Sequence, residues 1–320
     1  MRILSGIQPS GRLHLGNYLG MMQPAIQLQD EGEAYYFIAD YHSLTTTTDP
    51  ESLRSYSKDL ALDFLACGLD PGKAVFFRQS DVPEVTELAW MLSCVTPMGL
   101  LERCHSFKDK TSRGIAASHG LFAYPVLMAA DILIYDSDLV PVGQDQKQHL
   151  EVTRDIAQKF NDRYGDGLLK LPTPRIRSET AAVPGLDGQK MSKSYGNTID
   201  LFEPEKALRK KIMRIVTDST PVEEPKDPDG SYIVQLYQLF ATAEETAALK
   251  DQFRAGGRGY GDFKQILFEK IRDHFAGIRE SRLELENQPW KAEEVLHHGA
   301  HKARSVARST MERIRSAVGF

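Results

Sequence analysis

Two short segments hold side chains that could work on a phosphate chain. The first runs Gln8-Pro9-Ser10-Gly11 and then Leu13-His14-Leu15-Gly16-Asn17. It follows an apolar run, Arg2 to Ile7, that reads as a strand, and it leads into a helical pattern from about Gly16 to Gln29. Strand, glycine turn and helix in that order aim backbone N–H groups and the positive end of a helix dipole at an anion. Glycine lets a ligand come close to the backbone, and His14 and Asn17 add side-chain donors for phosphate oxygens. No G-K-[ST] follows, so the turn is not a Walker loop. On geometry alone it could equally be a plain strand-to-helix turn. The second segment, Lys190-Met191-Ser192-Lys193-Ser194, lies in a loop after Pro184-Gly185-Leu186-Asp187-Gly188. Two point cations and two hydroxyls in a glycine-flanked loop suit a triphosphate whose leaving group is pyrophosphate. Taken alone, a K-x-x-K loop is more often solvated surface.

A third candidate is the apolar stretch 121–135, LFAYPVLMAADILIY, whose one charge is Asp131. Tyr124, Met128, Asp131 and Tyr135 fall at i, i+4, i+7 and i+11, one face of a helix. A lone carboxylate in such a stripe is costly unless paired. An indole N–H, a donor with no acceptor capacity, would match it, with Met128 and Tyr124 as walls. Pairing with a neighbouring arginine or with backbone is the other reading. Gly143-Gln144-Asp145-Gln146 marks a strand end and helix start, where a doubly wound sheet binds ligands. Asp145 could accept from a ribose hydroxyl or simply cap the helix, and Gln146 could reach an amino group. His42, after the second strand pattern, lines a pocket or is a satisfied core histidine.

These residues need a scaffold, and the first half of the chain supplies an α/β rhythm. Ala34 to Ala39, Ala74 to Arg78 and Leu139 to Gly143 are unalternated apolar runs, as strands covered on both faces are. Between them lie helical patterns: one opened by Asp49-Pro50, one over Pro83 to Val95, and one from Gln144 to Tyr164-Gly165. The fold class expected is a Rossmann-like doubly wound parallel sheet followed by an all-helical C-terminal domain. From about Glu203 the pattern is helical: Ser231 to Phe240, Glu244 to Phe253, Phe263 to Leu285 and Trp290 to Val318, with Pro221 to Gly230 as a loop. A division into residues 1–200, with an inserted helical region around 80–130, and residues 201–320 follows. The final helix could pack back on the first domain.

The chain has 320 residues, 41% hydrophobic, and a formal charge of −5. A nucleic-acid partner would have to meet a local patch. Residues 201–320 hold 20 Lys+Arg against 19 Asp+Glu. The last twenty residues set Lys302, Arg304, Arg308, Arg313 and Arg315 against Glu312, which is either a solvated helix face or an RNA-facing one. No apolar run reaches the roughly 18 residues of a membrane span. The N-terminus reads as a first strand and not as a signal peptide. Cys67, Cys94 and Cys104 are few, odd in number and widely spaced, as reduced cysteines in a cytoplasmic protein are.

Together, the H-x-G-N turn and the Lys190–Ser194 loop resemble the paired signatures of class I aminoacyl-tRNA synthetases, where the first motif is H-x-G-H. Asn17 stands at the second histidine, a departure that tryptophanyl enzymes tend to share. Ser5 to Gly11 (SGIQPSG) and Pro141 to His149 (PVGQDQKQH), followed by Glu151 to Ile156, are similar to tryptophanyl-tRNA synthetase stretches of the bacterial type. The resemblance covers nearly the whole chain.

It implies that ATP with Mg²⁺ is a substrate, held by Gln8, Pro9, Ser10, His14, Gly16, Asn17, Gly143, Gln144, Asp145, Val183, Lys190, Met191, Ser192, Lys193 and Ser194. Lys190, Lys193 and Asn17 would do the catalytic work. It places L-tryptophan against Asp131, with Tyr124, Met128, Gln146 and His42 around it. It also implies tRNA(Trp) as partner, an anticodon-binding role for 201–320 and a homodimer with its surface around 80–130. No prosthetic group, iron–sulfur cluster or membrane contact is expected. A tyrosyl enzyme of the same architecture, a small-molecule nucleotidyltransferase and a non-catalytic RNA-binding paralogue are the competing readings.

Overall fold

The computed structural model describes residues 1–104, 118–143, 146–176 and 183–320. The chain forms two compact units, neither a continuous stretch. Unit one comprises Met1–Gly11, Ala25–Glu179 and Leu285–Phe320, and unit two comprises Arg12–Pro24 and Thr180–Glu284.

Unit one is built on five parallel strands: β1 (Arg2–Ile7), β2 (Glu33–Ile38), β3 (Ala74–Arg78), β4 (Leu139–Val142) and β5 (Thr173–Ile176), in the order β3-β2-β1-β4-β5. β1 pairs in register with β2 from Arg2↔Glu33 to Ile7↔Ile38, and β2 with β3 from Ala34↔Ala74 to Ile38↔Arg78. This is the doubly wound order, and it puts the topological switch between β1 and β4. The expected α/β class is therefore the observed one. β5 escaped the sequence pattern because its run, Thr-Pro-Arg-Ile, is short and carries Pro174. A proline is tolerated on a sheet edge, where its missing N–H costs no ladder bond.

Helices α1 (Pro50–Ala66), α2 (Glu84–Ser93), α3 (His119–Leu133) and α4 (Lys147–Tyr164) cross between strands. The Asp49 side chain accepts from Ser52 N–H at 2.9 Å, with Pro50 as the first helical residue, so α1 starts where its cap predicts. Tyr135 turns into the core, stacked on Tyr35 at 5.6 Å and edge-on to Phe77 at 5.5 Å.

The last helix of the chain, Trp290–Val318, also belongs to unit one and lies on β3 and α2. It can do so because Gly299 meets the strand backbone: a Cβ there would stand 1.8 Å from the Phe76 carbonyl oxygen. Its arginines are held by acids of unit one. Arg304 grips Glu84 through Nε and Nη2, and Arg308 Nε reaches the same carboxylate at 3.1 Å. Arg313 pairs with Asp136 and Arg315 with Glu87.

Unit two is helical beyond its loops, with Glu205–Ile212, Tyr232–Tyr237, Ala243–Ala255 and Tyr260–His274 as its main helices. The single helix expected over Phe263 to Leu285 breaks at Phe275. That side chain is fully buried, edge-on to Tyr18 at 5.1 Å and to Phe240 at 5.7 Å. The helix expected from Gly16 is likewise irregular, a helical turn over Leu15–Asn17 followed by a wider π-type turn over Tyr18–Met22. No helix among the described residues is long and apolar enough to cross a membrane.

Candidate active site

Unit two brings together two motifs that are far apart in sequence. His14 pairs with Asp200 in an antiparallel bridge. Leu15 N–H donates to the Ile199 carbonyl at 2.9 Å, and Leu201 N–H to that of Leu13 at 3.0 Å. The segment that leaves the lysine-serine loop is thus the one that holds the histidine turn. A Cβ on Gly16 would lie 3.0 Å from the His14 ring and 3.5 Å from Met191 Cβ, so the turn and the loop are in direct contact.

Within the turn, His14 caps the short helix. Asn17 N–H donates to His14 Nδ1 and His14 N–H donates to Asn17 Oδ1, both at 3.3 Å. Burial, and then the nearby Lys193 cation, bring the His14 pKa down to about 4, with Asp200 opposing. The imidazole is neutral at physiological pH.

The loop itself is a small hairpin. Pro184 and Lys190 form an antiparallel bridge, Met191 N–H donates to the Val183 carbonyl at 2.9 Å, and Val183 and Met191 are buried beneath it. Lys190 is exposed. The Ser192 hydroxyl accepts from Ser194 N–H at 3.3 Å and starts a one-turn helix over Lys193–Tyr195, closed by Gly196 at φ 64°. Lys193 is exposed as a residue, yet desolvation by burial, against the pull of Asp200, holds its pKa below the ordinary lysine value.

Unit one holds the other predicted residues. Asp131, 2% exposed, is aimed from α3 at the residues that follow β2 and β3. Its Oδ2 accepts from His42 Nε2 at 2.8 Å, and its two oxygens accept from Gln79 Nε2 at 2.8 and 2.9 Å. Its partners are therefore a histidine ring and a glutamine amide; neither an arginine nor backbone is among these bonds. Burial pushes the carboxyl upward and the His42 and Gln79 bonds oppose it. The edge of the Tyr124 ring meets His42 at 6.0 Å, and its hydroxyl lies 2.6 Å from His149 Nε2. Met128 is half-buried against the core. Pro9 is buried after β1 while Gln8 and Ser10 are exposed. Gln146 N–H donates to the Gly143 carbonyl at 3.0 Å beyond β4. Gln144 and Asp145 lie outside the described residues.

Sequence reasoning missed Gln79, His149 and Asn197. Gln79 is 1% exposed and spends both ends of its amide, taking Tyr41 N–H at 3.0 Å as well as serving Asp131. The signal was present: a glutamine directly after the buried run AVFFR sits at the ligand-binding edge of such a sheet.

The family of class I tRNA synthetases (W and Y) matches residues 1–276. The tryptophan–tRNA ligase of Fusobacterium nucleatum is 55% identical over 319 residues, covering 100% of this chain and 98% of that one. The same ligase of Rhodopirellula baltica is 54% identical with 100% of both chains covered. A crystal structure of tryptophanyl-tRNA synthetase from Campylobacter jejuni, complexed with ADP and tryptophan, superposes with a TM-score of 0.97 at 49% identity over 100% of each chain. By its family match and by these full-length likenesses, the chain belongs to the tryptophan–tRNA ligases, bacterial in type, among the class I (W and Y) tRNA synthetases.

Proposed function

We propose that this chain activates L-tryptophan with Mg²⁺·ATP, giving tryptophanyl-adenylate and pyrophosphate, and then passes the tryptophanyl group to the 3′ end of tRNA(Trp). The observation that carries the reading is the pairing of residues 13–15 with residues 199–201. That pairing holds the histidine turn and the lysine-serine loop side by side within a single unit, which supports a shared role on one nucleotide.

The chemistry needs no protein nucleophile. The tryptophan carboxylate oxygen attacks the α-phosphorus, the bond to the bridging oxygen breaks, and pyrophosphate leaves with the electron pair. What the protein supplies is position and charge. Lys190 and Lys193 take up the negative charge gathering on the leaving pyrophosphate, helped by Ser192, Ser194, Gly16 and Asn17. Asn17 spends its oxygen on the His14 N–H, so its amide nitrogen is the end that can donate to phosphate. His14, neutral and accepting at Nδ1, donates through Nε2. Gln8, Pro9 and Ser10 border the triphosphate, Gly143, Gln144 and Asp145 take the ribose, and Val183 and Met191 wall the base.

For the amino acid, Asp131 receives the indole N–H. A carboxylate has about four acceptor positions. Gln79 and His42 occupy three of them, which leaves one on Oδ1. Tyr124, Met128, Gln146 and His42 complete the tryptophan site. A substrate without the N–H would strand a buried acceptor, a discrimination that makes a separate editing site unnecessary.

The helical segment after residue 201 carries the anticodon contact. The enzyme works as a cytoplasmic homodimer through the region 80–130, where Trp90 and Met98 stand 72% and 63% exposed. ATP–pyrophosphate exchange with each of the twenty amino acids, followed by charging of tRNA(Trp), tests the reading. Exchange driven by tyrosine, or none with tryptophan, overturns it.

A further inference from the structure

We infer that Asn197 is the positioning residue of the lysine-serine loop, a single buried amide that fixes Lys190 and Ser192 in the geometry that receives the ATP phosphates. The inference rests on the nucleotide reading given above.

Residues 193–196 are all exposed, but Asn197 is 3% exposed, turned back under the loop it follows. Its Oδ1 accepts from Ser192 N–H at 2.8 Å. Its Nδ2 donates to Asp187 Oδ1 at 2.7 Å and to the Lys190 carbonyl at 3.3 Å. Its backbone carbonyl accepts from Leu186 N–H at 3.0 Å. One side chain thus ties the hairpin turn at residue 187 to both limbs that flank Met191.

The amide uses its acceptor and both of its donors on loop partners, and no other side chain of that length offers one acceptor beside two donors. Aspartate would lose both donors and set a second carboxylate against Asp187. The space is cut to fit: a Cβ on Gly185 would fall 2.3 Å from the Asn197 amide nitrogen. The consequence for Lys193 is direct. Its one-turn helix begins at Ser192, so the Ser192 backbone sets the direction in which the ammonium leaves. Asn197 makes no phosphate contact in this scheme and acts through the residues it holds.

The test compares Asn197→Ala, Asn197→Asp and the double exchange of Asp187→Asn with Asn197→Asp in the full-length protein. The readouts are ATP–pyrophosphate exchange, tryptophan affinity by equilibrium dialysis, and amide hydrogen exchange. Both single variants should lower kcat for exchange roughly ten- to a hundredfold, the effect of a misdirected charge-stabilising group. Tryptophan affinity should change by less than about twofold, since the loop does not form that site. The Ser192 amide should lose protection while the β1–β3 peptides keep theirs. In the double variant the hydrogen bond between the two positions reverses direction, the amide now donating from position 187 to a carboxylate at position 197, and part of the lost kcat should return, the Lys190 carbonyl still lacking its donor.

Wild-type kcat in Asn197→Asp, no recovery in the double variant, or an equal loss of tryptophan affinity would each overturn the assignment. Exchange by the wild-type protein with a different amino acid would overturn the tryptophan reading alone. The latch would then be judged on that amino acid with the same variants.

Discussion

His14 and Asn17 cap each other, each backbone N–H donating to the other's side chain at 3.3 Å. A ring nitrogen that accepts carries no proton, so the neutral imidazole of His14 must bear its proton on Nε2. The motif's histidine and its asparagine are one structural unit.

That unit has a pH signature. The folded pKa of His14 is about 4 against an ordinary 6.5, so in this window the unfolded chain binds the extra proton. Stability contributed by the neutral ring is complete above about 6.5 and is lost as pH falls toward 4. Denaturant unfolding of the wild type should therefore weaken over that interval more than unfolding of His14→Gln, and an NMR titration should place the His14 midpoint near 4. A midpoint near 6.5 would mean that the ring is neither desolvated nor facing Lys193.

Lys193→Ala removes a cation from a loop that belongs to unit two, whereas the tryptophan residues of the proposed site belong to unit one. Adenylate formation should slow roughly 10²- to 10³-fold, the usual cost of deleting one donor to developing charge. Tryptophan affinity measured without ATP should stay as it is. Pre-steady-state exchange at the wild-type rate would remove the loop from the chemistry.

Asp131→Ala should cut kcat/KM for tryptophan about a hundredfold or more and leave KM for ATP nearly unchanged. The same change should narrow the gap between tryptophan and phenylalanine, because the acceptor that rejects a ring without an N–H is gone. It also strands the Gln79 and His42 donors, so a fall in unfolding stability of about 2 kcal/mol accompanies it. Undiminished discrimination against phenylalanine would place the indole elsewhere.

Much of this was legible because local chemistry announces itself. A strand followed by His14-x-Gly16-Asn17, a loop with two lysines and two serines, and a carboxylate alone on an apolar helix are each visible within a dozen residues. What sequence hid depends on partners far along the chain. Gln79 acquires meaning only beside Asp131, 52 residues on, and the helix break at Phe275 only when Tyr18 and Phe240 close around that ring. Nor does periodicity reveal that Arg12–Pro24 folds with residues 180–284, since the pairing that joins them is two backbone hydrogen bonds.

The basic tail shows the same limit and supplies the last prediction. Read as sequence, Arg304, Arg308, Arg313 and Arg315 are a solvated or an RNA-facing stripe; in the fold each is paired to an acid of unit one. Glu84 is the centre of that clamp. Burial pushes its carboxyl upward, but the Arg304 and Arg308 bonds outweigh burial and hold the pKa below the ordinary 4.5. Its stabilisation is accordingly full above 4.5 and disappears as pH falls through the lower folded value. Glu84→Gln keeps the shape and loses the charge, so it should lower folding stability by about 1 kcal/mol at neutral pH, the scale of a charge-assisted cluster whose carboxylate is buried and whose arginines are partly solvated. The difference from wild type should shrink as the solution is acidified below that range. High salt should leave most of the effect, since Glu84 is only 10% exposed, whereas the Arg315–Glu87 pair, 47% and 35% exposed, should be screened. Equal stability of Glu84→Gln and wild type at neutral pH would mean that Gly299 and its apolar neighbours hold the last helix to β3 without the clamp.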